Sequence, residues 1–267
     1  MKQSVKPLMP SKATMVDKSP KETPPIWEGV YQTWQEAAAV SKGFSGQRWL
    51  KGIVQQLDDY HKDIKLHGNM ALPPRPCSLP MLCGLTNLDS IVDFGGSSGW
   101  VWYYMKECIP NLSIKKYDII ENDEICQFFT NSNYHVDHPI SYFTYQNFAG
   151  NCEILYTNST LQYIKDDEIF FRLIEKTNPK YLLIKDLLGG DFDDYFSTQI
   201  YYDERIPVKF RNKKNFISDI RDLSFELLLS KDYITSIRGK IQSFPMSNLP
   251  EKNRVKYGKT LLFKRLN

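Results

Sequence analysis

A short apolar run that breaks into glycines constrains the fold of this chain more than any other feature. Residues 90–94 read Ser-Ile-Val-Asp-Phe, and Gly95, Gly96 and Gly99 follow at once. Apolar residues then recur at helical spacing over residues 101–109, up to a proline. The pattern predicts a buried strand, a tight turn and a helix, because glycine lets the backbone turn sharply and lets a ligand approach where a Cβ would clash. The unpaired N–H groups at the start of such a helix favour a polar or anionic ligand.

The rest of the chain continues this alternation of strands and helices. Further strand-like runs are predicted at residues 114–120, 140–145, 153–157, 181–185, 225–229 and 260–263. Helical periodicity lies between several of them, at residues 123–130, 167–176 and 216–223. Strands that alternate with helices in this way predict an α/β fold, with a mainly parallel sheet covered by helices on both faces.

The chain divides into three parts by composition. Residues 1–25 are rich in Lys, Pro, Ser and Thr and contain no apolar core, so we expect a disordered tail there. Residues 26–80 contain helical patterns followed by a proline-dense connector. We expect this part to form a helical cap that either packs against the core or covers the substrate side. Residues 81–267 are expected to form the α/β domain itself.

Charge and cysteine usage argue against several classes of protein. A net charge of +3 over 267 residues gives no signal for nucleic acid, and no apolar run approaches the ~20 residues that cross a bilayer. We therefore expect neither a nucleic-acid partner nor an integral membrane segment. The 5 cysteines form no Cys-x-x-Cys pair and the 4 histidines show no ligand spacing, so we expect no metal site and a reduced, cytoplasmic setting. The oligomeric state stays open.

The spacing of the glycines distinguishes between ligands. A phosphate-binding P-loop requires a lysine after its last glycine, and none follows Gly99. A dinucleotide site requires Gly-x-Gly-x-x-Gly, which the order Gly-Gly-Ser-Ser-Gly does not match, and this disfavours a nicotinamide oxidoreductase. Asp93, at the junction of strand and loop, also argues against phosphate, because its carboxylate suits a cationic ligand better.

The same residues resemble the motifs of class I S-adenosylmethionine-dependent methyltransferases. Residues 93–99, Asp-Phe-Gly-Gly-Ser-Ser-Gly, are similar to the first motif of that class, with Ser97 in place of its middle glycine. Residues 117–121, Tyr-Asp-Ile-Ile-Glu, are similar to the second motif, whose terminal acid holds both ribose hydroxyls, and residues 155–166 resemble the fourth. The resemblance implies a Rossmann-like class I fold with a seven-stranded sheet, and S-adenosylmethionine as the cofactor.

A narrower resemblance runs along the chain from Trp27 to the C-terminus. It rests, in order, on Trp27-Glu28-Gly29-Val30-Tyr31, Trp34, Glu36-Ala37, Gly43-Phe44, the glycine loop, Leu161-Gln162-Tyr163 and Ser197-Thr198-Gln199. This ordered set is similar to a group of bacterial methyltransferases linked with surface-polysaccharide synthesis. The resemblance implies O-methylation of a sugar or glycan intermediate, free or attached to a nucleotide or lipid carrier. A binding or scaffolding module that has lost catalysis stays open as the alternative, since a serine replaces a motif glycine.

The resemblance and the predicted strand ends together assign the cofactor contacts. Glu121 would accept hydrogen bonds from both ribose hydroxyls, and Asp93 would hold the methionine amino group. For Glu121 the alternative role is an electrostatic interaction with the start of a helix. Gln146 is expected to contact the edge of the adenine ring, and the alternative is that it belongs to an ordinary turn. The full set of expected cofactor residues is Asp93, Gly95, Gly96, Gly99, Glu121, Gln146, Asn158 and Ser159.

Acceptor and catalytic residues are expected further along the chain. Gln162 and Tyr163 lie where the sulfonium and the acceptor should meet. A hydroxyl acceptor benefits from a general base. Asp186, at the end of a predicted strand, ranks first for that role, with a structural hydrogen bond as the alternative. His138 is a further candidate, with a place on the surface as its alternative.

A basic segment follows the fifth strand of the predicted sheet. Residues 205–214 contain five basic residues and no acid. We expect a loop that overhangs the carboxyl edge of the sheet. Arg211 would then bind an anionic acceptor as a bidentate donor; the alternative is a solvated loop whose charges balance the aspartates at residues 191–194.

Overall fold

The computed structural model describes residues 24–41, 46–67, 78–109, 111–201, 204–237 and 239–266. The helices are α1 (Trp34–Ala39), α2 (Gly46–His67), α3 (Ser78–Thr86), α4 (Trp100–Cys108), α5 (Asp123–Thr130), α6 (Glu168–Thr177) and α7 (Lys213–Asp222), and 3₁₀ turns occupy Leu161–Tyr163 and Glu251–Asn253. The strands are β1 (Trp27–Tyr31), β2 (Ser90–Phe94), β3 (Lys116–Ile120), β4 (Ile140–Phe143), β5 (Ile154–Asn158), β6 (Tyr181–Leu187), β7 (Gly189–Gly190), β8 (Tyr195–Tyr201), β9 (Glu204–Asn212), β10 (Phe225–Tyr233), β11 (Ser236–Ile237), β12 (Lys240–Ile241) and β13 (Gly258–Arg265). Residues 1–23 of the expected tail, and most of the proline-dense connector, lie outside the described residues.

Seven strands form the main sheet, in the order β10-β13-β6-β5-β2-β3-β4. Each neighbouring pair from β6 to β4 is parallel, whereas β13 runs antiparallel to both of its neighbours. The predicted α/β fold with a mainly parallel, seven-stranded sheet is therefore confirmed. Because the strands from β6 to β4 run the same way, their carboxyl ends meet at one edge of the sheet, where such folds bind ligands.

Helices cover both faces of this sheet, as predicted. In β2, Ile91 belongs to a core that includes residues of α2, α3, α4 and α5, whereas Val92 belongs to a second core that includes residues of α6 and α7. Side chains that alternate between two buried faces explain why β2 is apolar almost throughout. Asp93 lies in the same run and is only 1% exposed. The strand therefore places one carboxyl group in the interior just before the glycines.

A second, four-stranded sheet, in the order β1-β8-β9-β7, was not predicted. Its β1 lies where we expected only helices, and its β9 replaces the loop expected at residues 205–214, so both local predictions are wrong. Trp27, on its edge strand β1, is buried in a cluster with its ring centroid 5.7 Å from that of Phe210 and 4.8 Å from that of Phe244. Only Leu188 separates β6 from β7, so this sheet adjoins the carboxyl edge of the main sheet.

The N-terminal helices pack against the main sheet. α3 spans the expected boundary between residues 80 and 81, and its Leu79 and Leu82 share a core with residues of α2 and α4. The boundary therefore falls within a helix that belongs to the packed core. None of the described helices combines the length and the apolar character needed to cross a membrane.

Candidate functional site

The glycine loop after β2 is shaped by two left-handed glycines. Gly95 has φ of +76° and Gly99 has φ of +71°, a backbone conformation that glycine adopts without steric cost. A Cβ at Gly95 would overlap the side chain of Thr160, and a Cβ at Gly96 would lie 2.7 Å from Cγ of Asp93. Ser97 also has a positive φ, of +55°, at the position where the resembled motif has its middle glycine. The serine therefore keeps the backbone conformation that a glycine would take.

Asp93 is held inside the sheet by a tyrosine of the next strand. Oδ2 of Asp93 accepts a hydrogen bond of 2.6 Å from the hydroxyl of Tyr117. Burial raises the pKa of Asp93 to about 7; the Tyr117 hydrogen bond lowers it, nearby Glu121 raises it and Lys185 lowers it. This carboxyl group is therefore poised to ionise near neutral pH, and a cation placed against it would favour the ionised form.

Glu121 follows β3 and lies against the glycine loop. Its Oε1 accepts a hydrogen bond of 3.1 Å from N of Ser97, and its Oε2 accepts one of 3.0 Å from N of Asn122. Burial raises its pKa to about 7, although both backbone hydrogen bonds lower it. Each carboxylate oxygen has a second lone pair, so two further hydroxyl donors can bind. The backbone thus fixes the carboxylate in the orientation that would accept a diol.

Ser159 and Asp186 join the ends of β5 and β6. Oγ of Ser159 donates a hydrogen bond of 2.7 Å to Oδ2 of Asp186. Both residues have left-handed φ values, +56° and +57°, which cost energy in non-glycine residues and often mark functional sites. Oδ1 of Asp186 has no hydrogen-bond partner among the described residues, and a Cβ at Gly258 would overlap it. Burial raises the pKa of Asp186 to about 6, against the lowering effects of Ser159 and Lys185.

The other predicted cofactor and acceptor residues lie at or near the same edge. Asn158 is the last residue of β5. Gln162 is only 4% exposed, and its Oε1 has no partner within the described part of the chain. The hydroxyl of Tyr163 donates to Oε1 of Gln199 at 3.0 Å, which ties the turn after β5 to the second sheet. Gln146 is exposed in the turn after β4, near a cavity of 330 Å³ between α5 and the end of β4.

The structure does not place Arg211 where an acceptor could meet it. Its side chain is 1% exposed and lies on β9, inside the junction between the two sheets. The guanidinium bonds Asp167 at 2.5 Å and the carbonyl oxygen of Leu161 at 2.7 Å. The nearby Lys209 is likewise paired, with Asp167 at 2.7 Å and Asp194 at 3.1 Å. These ion pairs neutralise part of the basic run. Residues 204–212 form strand β9 of the second sheet, so the expectation of an overhanging loop that binds the acceptor is wrong.

The structure also does not bring His138 to the carboxyl edge. His138 precedes β4 near the amino ends of the strands, and its Nδ1 accepts a hydrogen bond of 3.2 Å from Nε1 of Trp102. His135, in the same loop, is buried between two tyrosine hydroxyls. Its Nδ1 lies 2.8 Å from the hydroxyl of Tyr103, and its Nε2 lies 3.2 Å from the hydroxyl of Tyr142. Burial lowers the pKa of both imidazoles. Both therefore belong to an aromatic cluster that packs on α4.

Sequence reasoning did not foresee the contacts by which two residues shape the site. Tyr117 supplies the hydrogen bond to Asp93, and Thr160, which lies in the segment where the sulfonium and the acceptor were expected to meet, fills the space beside Gly95. The sequence contained a signal for Tyr117. Side chains along a strand alternate in direction, and Tyr117 lies an even number of residues before Glu121, so the two are expected on the same face of the sheet. No comparable signal existed for Thr160, because its contact with Gly95 joins segments that lie far apart in the chain.

The strand order and the position of the site together define the class of fold. The main sheet is parallel except for β13, which lies between β6 and β10. A glycine loop follows β2 and an acidic residue follows β3. Together these features are those of the class I S-adenosylmethionine-dependent methyltransferase fold. The described residues contain no group of three His, Cys, Asp or Glu side chains that could hold a metal ion.

Solved structures are similar to this chain at low sequence identity. An S-adenosylmethionine-dependent methyltransferase from Clostridium acetobutylicum aligns with a TM-score of 0.51 and 11% identity, over 80% of this chain and 100% of that chain. An S-adenosylmethionine dependent methyltransferase from Mesorhizobium loti aligns with a TM-score of 0.46 and 11% identity, over 71% of this chain and 98% of that chain. No protein-family profile and no curated protein matches the chain. At this identity the likeness to the Clostridium acetobutylicum structure shows the fold alone.

Proposed function

We propose that this chain is an S-adenosylmethionine-dependent methyltransferase. The observation that carries the proposal is a pair of carboxyl groups, the buried Asp93 and the half-buried Glu121, on either side of the glycine loop at the ends of adjacent parallel strands. A cation that lies against them gains electrostatic stabilisation, whereas a phosphate would be repelled. S-adenosylmethionine carries a positive sulfonium and an amino group, and the fold likeness to proteins of that class supports it as the cofactor.

The chain's own residues have separate parts in this proposal. Glu121 accepts both ribose hydroxyls on the lone pairs that Ser97 and Asn122 leave free, and Asp93 faces the amino group. The glycine loop supplies close backbone approach, with Asn158 and Gln146 at the flanks of the ligand. Asp93, Glu121 and Asn158 each lie on or next to the end of a strand, so the sheet fixes their spacing before any ligand binds.

Methyl transfer requires positioning more than strong acid or base chemistry. When bound, S-adenosylmethionine supplies an activated methyl group. The protein would hold the acceptor in line with it and exclude water, and the buried Gln162 and half-buried Tyr163 are the proposed residues for this role. Asp186 is the proposed general base, because a pKa of about 6 leaves it ionised at neutral pH and Ser159 fixes one of its oxygens. Asp186→Asn should then abolish transfer while leaving cofactor affinity unchanged; loss of both would favour the purely structural hydrogen bond.

For the acceptor we propose a hydroxyl of a sugar or glycan intermediate of surface-polysaccharide synthesis. The support is the ordered set of residues from Trp27 to Gln199 and its resemblance to a group linked with that process. The acceptor need not be anionic, because Asp167 and Asp194 already pair with Arg211 and Lys209. Mass spectrometry of the host's glycans, with and without this protein, should reveal a methyl-sized difference. Identical glycans would exclude this acceptor class.

Calorimetry with S-adenosylmethionine, with NAD as the control, tests the cofactor assignment directly. A methyltransferase binds the first and not the second, and binding also raises the melting temperature by mass action. A scaffolding module that has lost catalysis either fails to respond or binds without turnover. Absence of binding to S-adenosylmethionine at millimolar concentration would overturn the proposal.

A further inference from the structure

The buried Arg211 connects the second sheet to the turn that follows β5. Its guanidinium donates to the carbonyl oxygen of Leu161 at 2.7 Å and to that of Ile164 at 3.5 Å, at the two ends of the turn. It also donates to Oδ1 of Asp167 from Nε at 2.9 Å and from a terminal nitrogen at 2.5 Å. Although burial raises the pKa of Asp167, the contacts with Arg211 and Lys209 outweigh it, and the pKa is lowered. The network is therefore ionised and internally paired.

A second contact fastens the middle of the same turn to the same sheet. The hydroxyl of Tyr163 donates to Oε1 of Gln199 on β8. Arg211 lies on β9, the neighbour of β8. The turn is thus held at three points by two adjacent strands of the second sheet, which leaves it little freedom relative to that sheet.

The start of this turn lies directly against the glycine loop. Thr160 precedes the 3₁₀ turn, and its side chain occupies the space where a Cβ of Gly95 would lie. Its Oγ1 also donates to the carbonyl oxygen of Asn158 at 3.1 Å. A shift of the turn would therefore move Thr160 relative to Gly95 and change the shape of the loop.

We propose that Arg211 is a positioning residue, which holds the turn at residues 160–164 so that Thr160 sets the conformation of the glycine loop. The second sheet thereby controls the shape of the cofactor site. An arginine is required at this position because its planar group reaches two carbonyl oxygens and a carboxylate at once, whereas a lysine ammonium cannot match that geometry. The link to cofactor affinity rests on the proposed function; the link to the loop conformation does not.

The test compares Arg211→Lys with Arg205→Lys, a change of the same type on the same strand. Arg205 forms an exposed ion pair with Glu28 at 2.8 Å, so it serves as the matched control. Amide hydrogen exchange of the free protein is measured at residues 95–99 and 159–164. We expect Arg211→Lys to accelerate exchange at both segments at least about tenfold and to weaken S-adenosylmethionine binding by about tenfold, equal to about 1.4 kcal/mol. The control should change neither.

Other outcomes contradict the proposal. Acceleration spread evenly over the chain would indicate a general loss of stability, and acceleration at residues 159–164 alone would show that the turn does not act on the glycine loop. If Arg211→Lys does not fold, Tyr163→Phe removes one hydrogen bond of the same junction and should accelerate exchange at both segments more weakly. The exchange experiment needs no ligand. A wild-type protein that does not bind S-adenosylmethionine would therefore refute the proposed function without deciding the role of Arg211.

Discussion

Carboxyl groups at the carboxyl edge of the sheet fall into two groups, and their surroundings differ. Asp167 is paired with Arg211 and Lys209, and its pKa is lowered despite burial. Burial instead dominates at Asp93 and Glu121, and raises the pKa of both to about 7, although Lys185 lowers that of Asp93. The first group is a completed ion network that joins two sheets. The second is a pair of acids whose ionised forms gain from a cationic ligand.

The balance of charge around each group of carboxyl groups distinguishes a structural role from a ligand-binding role. Both groups are acidic and at least partly buried, so burial or residue type alone would not distinguish them. What differs is whether the protein's own cations compensate the charge within hydrogen-bonding distance. Breaking the paired group should therefore cost folding stability, whereas changing the other should alter ligand binding and pH dependence.

The largest effect is expected when the paired network is broken. Asp167→Ala leaves the guanidinium of Arg211 buried without its carboxylate, and removal of one partner of a buried ion pair costs about 3–5 kcal/mol. Asp191→Ala, which removes an exposed carboxylate 3.7 Å from Lys214, is the control and should change stability by less than about 0.5 kcal/mol. Chemical denaturation measures both. Equal effects of the two substitutions would show that burial of the network does not matter.

Glu121→Ala should abolish most cofactor affinity and leave the protein folded. Hydrogen bonds to a charged group are worth about 1.5–3 kcal/mol each, and loss of two should weaken binding at least about a hundredfold. Asp123→Ala is the control, since Asp123 is exposed in the first turn of α5. Calorimetry with S-adenosylmethionine compares the two variants, and wild-type affinity in Glu121→Ala would disprove the ribose assignment.

Asp93→Asn should stabilise the free protein at alkaline pH. A carboxyl group whose pKa is raised by folding, from 3.8 to about 7, stabilises the native state below pH 3.8 and loses that contribution as the pH rises through 7. The amide cannot ionise, so the variant should gain at least about 1.4 kcal/mol relative to wild type between pH 5 and pH 8. Urea denaturation at the two pH values measures this difference. A gain of the same size at both would mean that Asp93 does not titrate in this range.

The smallest effect concerns the hydrogen bond between Ser159 and Asp186. Ser159→Gly removes the hydroxyl while glycine accepts the φ of +56° without strain. Because this bond lowers the pKa of Asp186, its loss should raise that pKa further above about 6, by less than about one unit. Carbon-detected NMR of aspartate carboxyl groups follows the titration, and an unchanged value would show that the bond does not hold the ionised form.

The positions of the glycine loop and Glu121 at the ends of β2 and β3 could be predicted because the signals for them are local. The apolar run, the glycines and Glu121 fall within about thirty residues, and each follows from strand period or backbone freedom. The confirmed parallel sheet rests on the same regular alternation. Asp93 and Glu121 lie at adjacent strand ends on either side of the loop, in the arrangement that the motif implied.

The second sheet could not be predicted in the same way. β1 pairs with β8 across most of the chain, as in the register Trp27 to Gln199, and such long-range pairing leaves no period in the local sequence. The basic run at residues 205–214 indicated an exposed loop, because the acids that pair with it, among them Asp167 and Asp194, lie in other segments. We therefore expected Arg211 to contact the acceptor, whereas it is buried in the structure. The identity of a charged residue did not reveal whether its charge was already paired.

The most direct measurement of the central claim is the number of protons released when S-adenosylmethionine binds. A cation against Asp93 and hydroxyl donors on Glu121 lower their pKa values from about 7, so binding at pH 6.5 should release up to about 1.5 protons and affinity should rise from pH 6 to pH 8. Calorimetry in two buffers of different ionisation enthalpy gives the number of protons directly. We predict a buffer-dependent heat in wild type that falls in Asp93→Asn. The same heat in both buffers, with equal affinity at pH 6 and pH 8, would contradict the account.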